Sequence, residues 1–284
     1  MKLASFKVGG LSTWGLIERD QAIDVGTTLR ERFGDLKRFL EGGDLALLDK
    51  ASAASRRYDL GDIVWLPVIP NPDKIICIGL NYEMHREETG RAEVGYPTVF
   101  TRFSNTQTGH LTAIERPAVS LELDFEGELA IVIGKSGRHI KRERAFDHVA
   151  GYACYNEASV RDFQRHTHQF APGKNFPRTG AFGPWLVTAD EVTDVTKLRL
   201  QTRLNGEVVQ DAFIEQMIFD IPAQIEYCSS FTELVVGDVI VTGTPGGVGS
   251  RRTPPLWMKP GDVVEVEIDQ VGLLRNPIAQ ESST

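Results

Sequence analysis

The chain of 284 residues has only three cysteines, and no two of them are close in sequence. Cys77, Cys154 and Cys228 show no CxxC spacing, so a zinc site of cysteines or a disulfide framework is not expected. They read as buried apolar thiols of a reducing cytoplasm. Basic charge is also short: 31 Lys and Arg stand against 39 Asp and Glu, a net charge of -8. A nucleic-acid or anionic-membrane surface needs a basic face, so neither partner is expected. Long apolar runs are missing too, and none approaches the roughly 18 residues that span a bilayer. Gly9 and Gly10 follow a short strand-like opening, where a secretory leader would carry an apolar stretch. These absences predict a cytoplasmic globular protein.

What is present is strand-rich. Residues 3–8 and 14–17 predict a hairpin across Gly9-Gly10, and residues 22–25 and 63–66 add strand candidates. Residues 29–54 carry apolar side chains at helical spacing, interrupted by Gly42-Gly43. Pro67, Pro70 and Pro72 then mark a boundary, which predicts a small N-terminal domain over residues 1–70 and a larger one over 71–284. In the second part, residues 74–78, 97–101, 129–133, 198–204, 238–242 and 262–268 are strand candidates. Asn205-Gly206 is the strongest hairpin signal. Residues 221–231 fit a helix. Strands outnumber helices and lack regular crossover helices between them, so the predicted fold class is mainly β (α+β), largely antiparallel.

The run ELDFEGELAIVI over residues 122–133 carries most of the chemistry. In an extended strand alternate residues share a face, so Asp124, Glu126 and Glu128 would project together. Such a set is either a solvent-facing strand edge or a site for a cation, since like charges repel unless something neutralises them. A second acidic position, Glu157, ends an apolar run and precedes Arg161 by four residues, a spacing that also suits a helical ion pair. Hard divalent ions take oxygen ligands, and a few carboxylates would leave positions for a bidentate substrate. His85 and Glu88 are three apart, hence on one face of a helical turn. They form either a polar surface turn or a dyad in which Glu88 orients the imidazole as a base. His166 and His168 are two apart and read as a polar loop, because no third N or S ligand accompanies them for zinc.

In their order along the chain these segments resemble the fumarylacetoacetate hydrolase family over about residues 70–280. The resemblance rests on GLNYEMH at 79–85, DFEGE at 124–128, the segment 151–162, PGKNF at 172–176, VTGTPGGVG at 241–249 and GLLRN at 272–276. It implies a mixed β-sandwich roll, usually a homodimer, with a small N-terminal domain in front. It implies that Glu126, Glu128 and Glu157 hold Mg²⁺ or Mn²⁺, with Asp124 only a neighbour. It implies that His85 and Glu88 sit on a mobile lid hinged at Gly90 and Gly95, and that Lys174 neutralises an oxyanion or a substrate carboxylate. Tyr82, Arg161, Gln164, Gly243 and Thr244 would contact the substrate, a small keto-acid. Two positions depart from the pattern: Glu157 stands where relatives often carry Asp, and Pro177 follows Phe176.

A chelated dioxo-acid delivers one enolate to several reactions. The first expectation is hydrolysis of a C–C bond in an acylpyruvate-like catabolite, with water activated by His85 and Glu88. The alternative at the same site is decarboxylation or enol–keto isomerisation of a 2-oxo acid such as oxaloacetate. A non-catalytic metabolite-binding relative is the remaining reading.

Overall fold

A computed structural model describes residues 1–90 and 95–282. Its scaffold, among these residues, is a twelve-stranded sheet facing a five-stranded one. The strand Gly127–Ile133 shows how the layers arise. Every residue in it is buried, so both faces must be covered. Leu129, Ile131 and Ile133 point into one core, which they share with Leu200, Leu204, Val264, Val266 and Leu274 of the five-stranded sheet. Ala130 and Val132 point the other way, into a core shared with Trp14, Phe33, Leu36, Phe39 and Leu48. Strand alternation thus converts one apolar run into the contact surface for two layers. The result is the mainly β sandwich expected, with the helical residues 36–54 on the outer face of the large sheet.

The first 70 residues supply one end of that large sheet. Lys2–Val8 pairs with Leu11–Glu18 and, on its other side, with Gly180–Thr188 through Lys2↔Val187 and Leu3↔Leu186. The N-terminal strands therefore hydrogen-bond directly to the rest of the sheet and share its second core. The helical spacing of residues 29–54 resolves into two helices, Leu36–Gly42 and Leu45–Ala54, parted at Gly43. Asp35 and Asp44 cap them, accepting from Arg38 N at 2.8 Å and Leu47 N at 2.7 Å. Strand 22–25 is shorter than expected, spanning Gln21–Ile23, because Asp24 turns its carboxylate back onto Thr27 N and starts a helical turn.

Antiparallel pairs dominate, with parallel contacts at Val239–Val241 beside Ile75–Gly79, Gly180–Thr188 beside Gln107–Thr108, and Gly272–Gln280 beside Ile114–Arg116. Asn205 and Gly206 have φ of 52° and 87°, as a two-residue type I′ turn requires, and join Arg199–Leu204 to Glu207–Phe213. Helix Ile221–Phe231 is capped by Asp220, which accepts from Ala223 N at 2.9 Å. No helix among the described residues is long and apolar enough to cross a membrane.

Candidate active site

The expected single strand through residues 122–133 is broken. Leu123–Asp124 pairs with Ser159–Val160 in a two-stranded piece, and Gly127–Ile133 belongs to the large sheet. Phe125 and Glu126 lie between, so Asp124 does not share a strand face with Glu128. Asp124 is 0% exposed, and its carboxylate is fully used. It accepts from Gly249 N at 2.7 Å, Ser250 N at 2.9 Å and Arg161 Nε at 2.8 Å. Of the three acids on this run, Asp124 builds the site and leaves Glu126 and Glu128 to face the cavity.

The third carboxylate arrives by strand register. Val149–Glu157 runs antiparallel to Gly127–Ile133, with Gly127 opposite Asn156 and Glu128 opposite Tyr155. Glu157 N donates to Glu126 O at 2.8 Å, and Glu126 N donates to Asn156 Oδ1 at 3.0 Å. Glu126, Glu128 and Glu157 are all buried, each with an oxygen within 4.8 Å of the others'. Among the described residues this is the one group of His, Cys, Asp or Glu side chains with metal-ligand geometry. His166 instead packs its ring 4.7 Å from Phe163, and the zinc reading of His166 and His168 gains nothing. The helical Glu157–Arg161 pair is also replaced: Arg161 opens the helix Arg161–Gln164 and turns to Asp124 and Glu126.

The trio fits a divalent cation on its own chemistry. Four buried carboxylates, Asp124 included, share the site with two buried cations, Arg161 and Lys174, which pair with Asp124, Glu126 and Glu157 but not with Glu128, so negative charge is in surplus. Burial, with Glu157 and Glu126 alongside, pushes the Glu128 carboxyl well above the usual range. Burial works the same way on Glu126, but the Arg161 and Lys174 charges outweigh it and hold that carboxyl at about 2. Glu157 Oε1 is buried with no hydrogen-bond partner, an oxygen left for a ligand. Lys174 Nζ lies 2.6 Å from Glu126 Oε2 and 3.0 Å from Glu157 Oε2, inside the carboxylate cluster.

The helix Glu83–Thr89 carries the other half of the site. It starts beyond Asn81, whose amide donates to Thr242 O at 2.7 Å and Phe219 O at 3.0 Å and fixes where the helix begins. His85 is buried, and its Nδ1 lies 2.7 Å from Glu88 Oε1. Glu88 Oε2 accepts from Gly247 N at 2.9 Å, which docks the helix on the glycine-rich loop. Gly90 ends it at φ 67°, a left-handed cap. Gly95, the other expected hinge, is exposed, and the rest of the expected lid, residues 91–94, lies outside the described residues.

These groups meet around one cavity of about 200 Å³. His85, Glu126, Glu128, Glu157, Lys174 and Thr244 line it, with Arg161 and Gln164 beside them. Arg161 gives Nη1 to Gln164 Oε1 at 2.8 Å, while its buried Nη2 has no partner. Two expected substrate contacts are placed elsewhere. Tyr82 is buried at the start of the helix and does not line the cavity. Burial and the Glu128 charge push its hydroxyl far up, so it stays protonated. Gly243 gives its N–H to Glu128 Oε2 at 2.6 Å, so the anion that this turn serves is the protein's own carboxylate. Thr244 Oγ1 donates to Gly127 O at 3.0 Å and accepts from Gln210 Nε2 at 2.8 Å. Gln210 is a structural partner that motif spacing did not single out, and Asp124, expected only as a neighbour of the trio, is the other. Gln210 lies 83 residues from the Gly127 N–H it accepts at 2.9 Å, and no local pattern marks such a contact.

Comparison with known proteins adds a family and an activity class. The family model described as fumarylacetoacetate (FAA) hydrolase C-terminal matches residues 74–279. The mitochondrial oxaloacetate tautomerase fahd2 of Xenopus laevis is 42% identical over 248 residues, 86% of this chain and 78% of its own length. The oxaloacetate tautomerase YisK of Bacillus subtilis (strain 168) is 43% identical over 225 residues, 78% of this chain and 75% of its own. Maleylpyruvate hydrolase from Sphingobium sp. SYK-6, solved with manganese(II) and pyruvate, superposes with a TM-score of 0.83 at 29% identity, covering 99% of this chain and 100% of that one.

Proposed function

The chain belongs to the fumarylacetoacetate hydrolase family, and from that premise we propose that it interconverts the keto and enol forms of a small 2-oxo acid of the oxaloacetate type. The observation that carries this reading is the likeness to tautomerases from a frog and a bacterium over more than three quarters of the chain. The cavity supports it. A volume of about 200 Å³ equals roughly seven waters, below the usual size of a drug-like pocket and suited to a substrate of a few carbons. Isomerisation asks only that a proton move between carbon and oxygen. Hydrolysis asks in addition for a placed water and space for a departing acyl chain.

The side chains divide the work. Glu126, Glu128 and Glu157 would hold Mg²⁺ or Mn²⁺. A divalent ion supplies positive charge against the negative charge that develops when a proton leaves the carbon beside a carbonyl. Glu88 accepts from His85 Nδ1–H and leaves Nε2 with its lone pair, so His85 takes the C3 proton of the substrate. A proton returned to the carbonyl oxygen completes the enol, and the reverse sequence restores the ketone. Lys174 pairs with both Glu126 and Glu157 and holds them in place. Arg161 lines the cavity, and its buried, unpartnered Nη2 would serve as a donor for a substrate oxygen. Helix Glu83–Thr89 and Thr244 help to wall the cavity from water.

The C–C hydrolysis expected from the motifs becomes the second reading, favoured by the maleylpyruvate hydrolase likeness. One assay separates the two. Enol-oxaloacetate is added to the Mn²⁺-loaded protein, and its ultraviolet absorbance is followed while products are identified by mass. Faster loss of the enol with oxaloacetate retained supports tautomerisation. Pyruvate appearing in step with enol loss identifies a decarboxylase. Cleavage of acetylpyruvate without faster ketonisation replaces the tautomerase reading with the hydrolase.

A further inference from the structure

Three arginines line the cavity, and two are engaged. Arg161 is held by Asp124 and Glu126, and Arg165 pairs with Glu122. The guanidinium of Arg251 is exposed and, among the described residues, has no carboxylate or hydrogen-bond partner. Its neighbour Arg252 is spent on the loop itself, giving Nε to Gly247 O at 3.1 Å and Nη2 to Val209 O at 2.6 Å.

The backbone that presents Arg251 is fixed. Gly249 N and Ser250 N both donate to Asp124, and Arg251 N donates to Val248 O at 3.2 Å. A Cβ on Gly249 would fall 1.9 Å from Leu256 O, so that turn admits no side chain. Asp124 also holds Arg161 Nε. One buried carboxylate therefore sets two guanidinium groups on the same cavity. Arg161 sits beside Glu126 with Nη2 free, and Arg251 sits on the adjoining loop with its whole fork free. A planar fork without a partner matches a carboxylate in two parallel hydrogen bonds.

We infer that Arg251 binds the distal carboxylate of a 2-oxo dicarboxylic acid whose carbonyl end lies at Glu126, Glu128 and Glu157, and so selects diacids over monoacids. This rests on the 2-oxo acid reading of the site given above. Selection follows because a monoacid leaves the Arg251 fork bound only to water and gains nothing from it.

The test uses pairs that differ only in that carboxylate. Malate and 2-hydroxybutyrate are titrated calorimetrically into Mn²⁺-loaded protein, for the wild type, Arg251→Ala and Arg251→Lys. Oxaloacetate and 2-oxobutyrate are followed by deuterium exchange at C3. Removing a charge-assisted pair is expected to weaken malate binding and raise KM for oxaloacetate by about tenfold or more, with kcat little changed. The two monoacids should be unaffected, and Arg251→Lys should recover part of the loss. Arg251-dependent malate binding in a protein that exchanges no C3 proton upholds the subsite and removes the tautomerase reading alone. Malate binding that is absent in the wild type, unchanged in Arg251→Ala, or weakened there equally with 2-hydroxybutyrate overturns the inference.

Discussion

His85 Nδ1 lies 2.7 Å from Glu88 Oε1, and the other oxygen of that carboxylate takes the Gly247 N–H at 2.9 Å. One acid thus orients the imidazole and docks its helix on the loop. Glu88→Gln keeps an acceptor for Gly247 but cannot stabilise an imidazolium. A positioned acid–base group is worth about 10²- to 10⁴-fold, so kcat for ketonisation should fall within that range. Mn²⁺ affinity, measured by calorimetry, should stay near the wild-type value because Glu88 is not one of the three clustered carboxylates. Normal turnover by Glu88→Gln would remove the dyad from the mechanism.

The Asp124–Arg161 pair predicts a different outcome, in stability. Both groups are buried, and Asp124 also takes two loop N–H groups. Breaking a buried pair from one side leaves an uncompensated charge at a cost of about 3–5 kcal/mol. Asp124→Asn should therefore lower unfolding stability by an amount of that order in urea. Glu122→Gln removes the partner of Arg165 in a largely exposed pair and should cost less than about 1 kcal/mol. Equal losses in the two variants would show that Asp124 is not the frame of the site.

The contrast also shows what a sequence can disclose. His85 and Glu88 were legible because their contact is three residues long and a helix makes it. Glu126, Glu128 and Glu157 were legible only through a motif order, since antiparallel register brings Glu157 across from Glu126. Strand alternation put Asp124 on the wrong face, because the strand breaks at Phe125 and Glu126. Spacing also paired Arg161 with Glu157, whereas its partner Asp124 lies 37 residues away. Gly243 was expected to contact the substrate, and its N–H is instead taken by Glu128. The β class followed from apolar runs, while the joining of residues 1–70 to the large sheet depends on a pairing between residues 3 and 186 that no local signal marks.

The two shifted carboxyls predict how pH acts on the metal-free protein. Burial and neighbouring carboxylates raise Glu128, so the stability linked to its protonated form is present below the ordinary glutamate range and is lost as pH rises toward its folded value. Glu126 is held at about 2 and contributes the opposite way, with stability present above the ordinary range and lost as pH falls toward 2. A cation must displace the Glu128 proton, so Mn²⁺ affinity should rise with pH and binding should release a proton. Calorimetry in two buffers of different ionisation enthalpy reads that proton. At a hundredfold excess over Kd the ion adds about 2.7 kcal/mol, raising Tm by about 4–5 °C for a chain of this size, and EDTA should reverse both that gain and the activity. An affinity independent of pH would mean that Glu128 is already ionised in the free protein.

Gly243 gives the sharpest backbone test. Its φ is 105°, outside the range of ordinary side chains, and a Cβ there would lie 2.6 Å from Asn81 Cβ and 3.0 Å from Ile78 O. Asn81 fixes the start of the His85 helix through Thr242 O, so a displaced residue 243 pushes on the helix as well as on Glu128. Gly243→Ala should cost about 1–3 kcal/mol of stability from the backbone alone. It should also weaken Mn²⁺ binding, because the Gly243 N–H that positions Glu128 Oε2 moves with the strained turn. Gly206→Ala supplies the comparison: its φ is also positive, at 87°, but nothing lies within 4 Å of its Cβ, and it is an exposed turn residue that does not line the cavity. That variant should lose stability while keeping Mn²⁺ affinity and turnover. A Gly243→Ala protein that binds Mn²⁺ as the wild type does would separate the turn from the carboxylate it now holds.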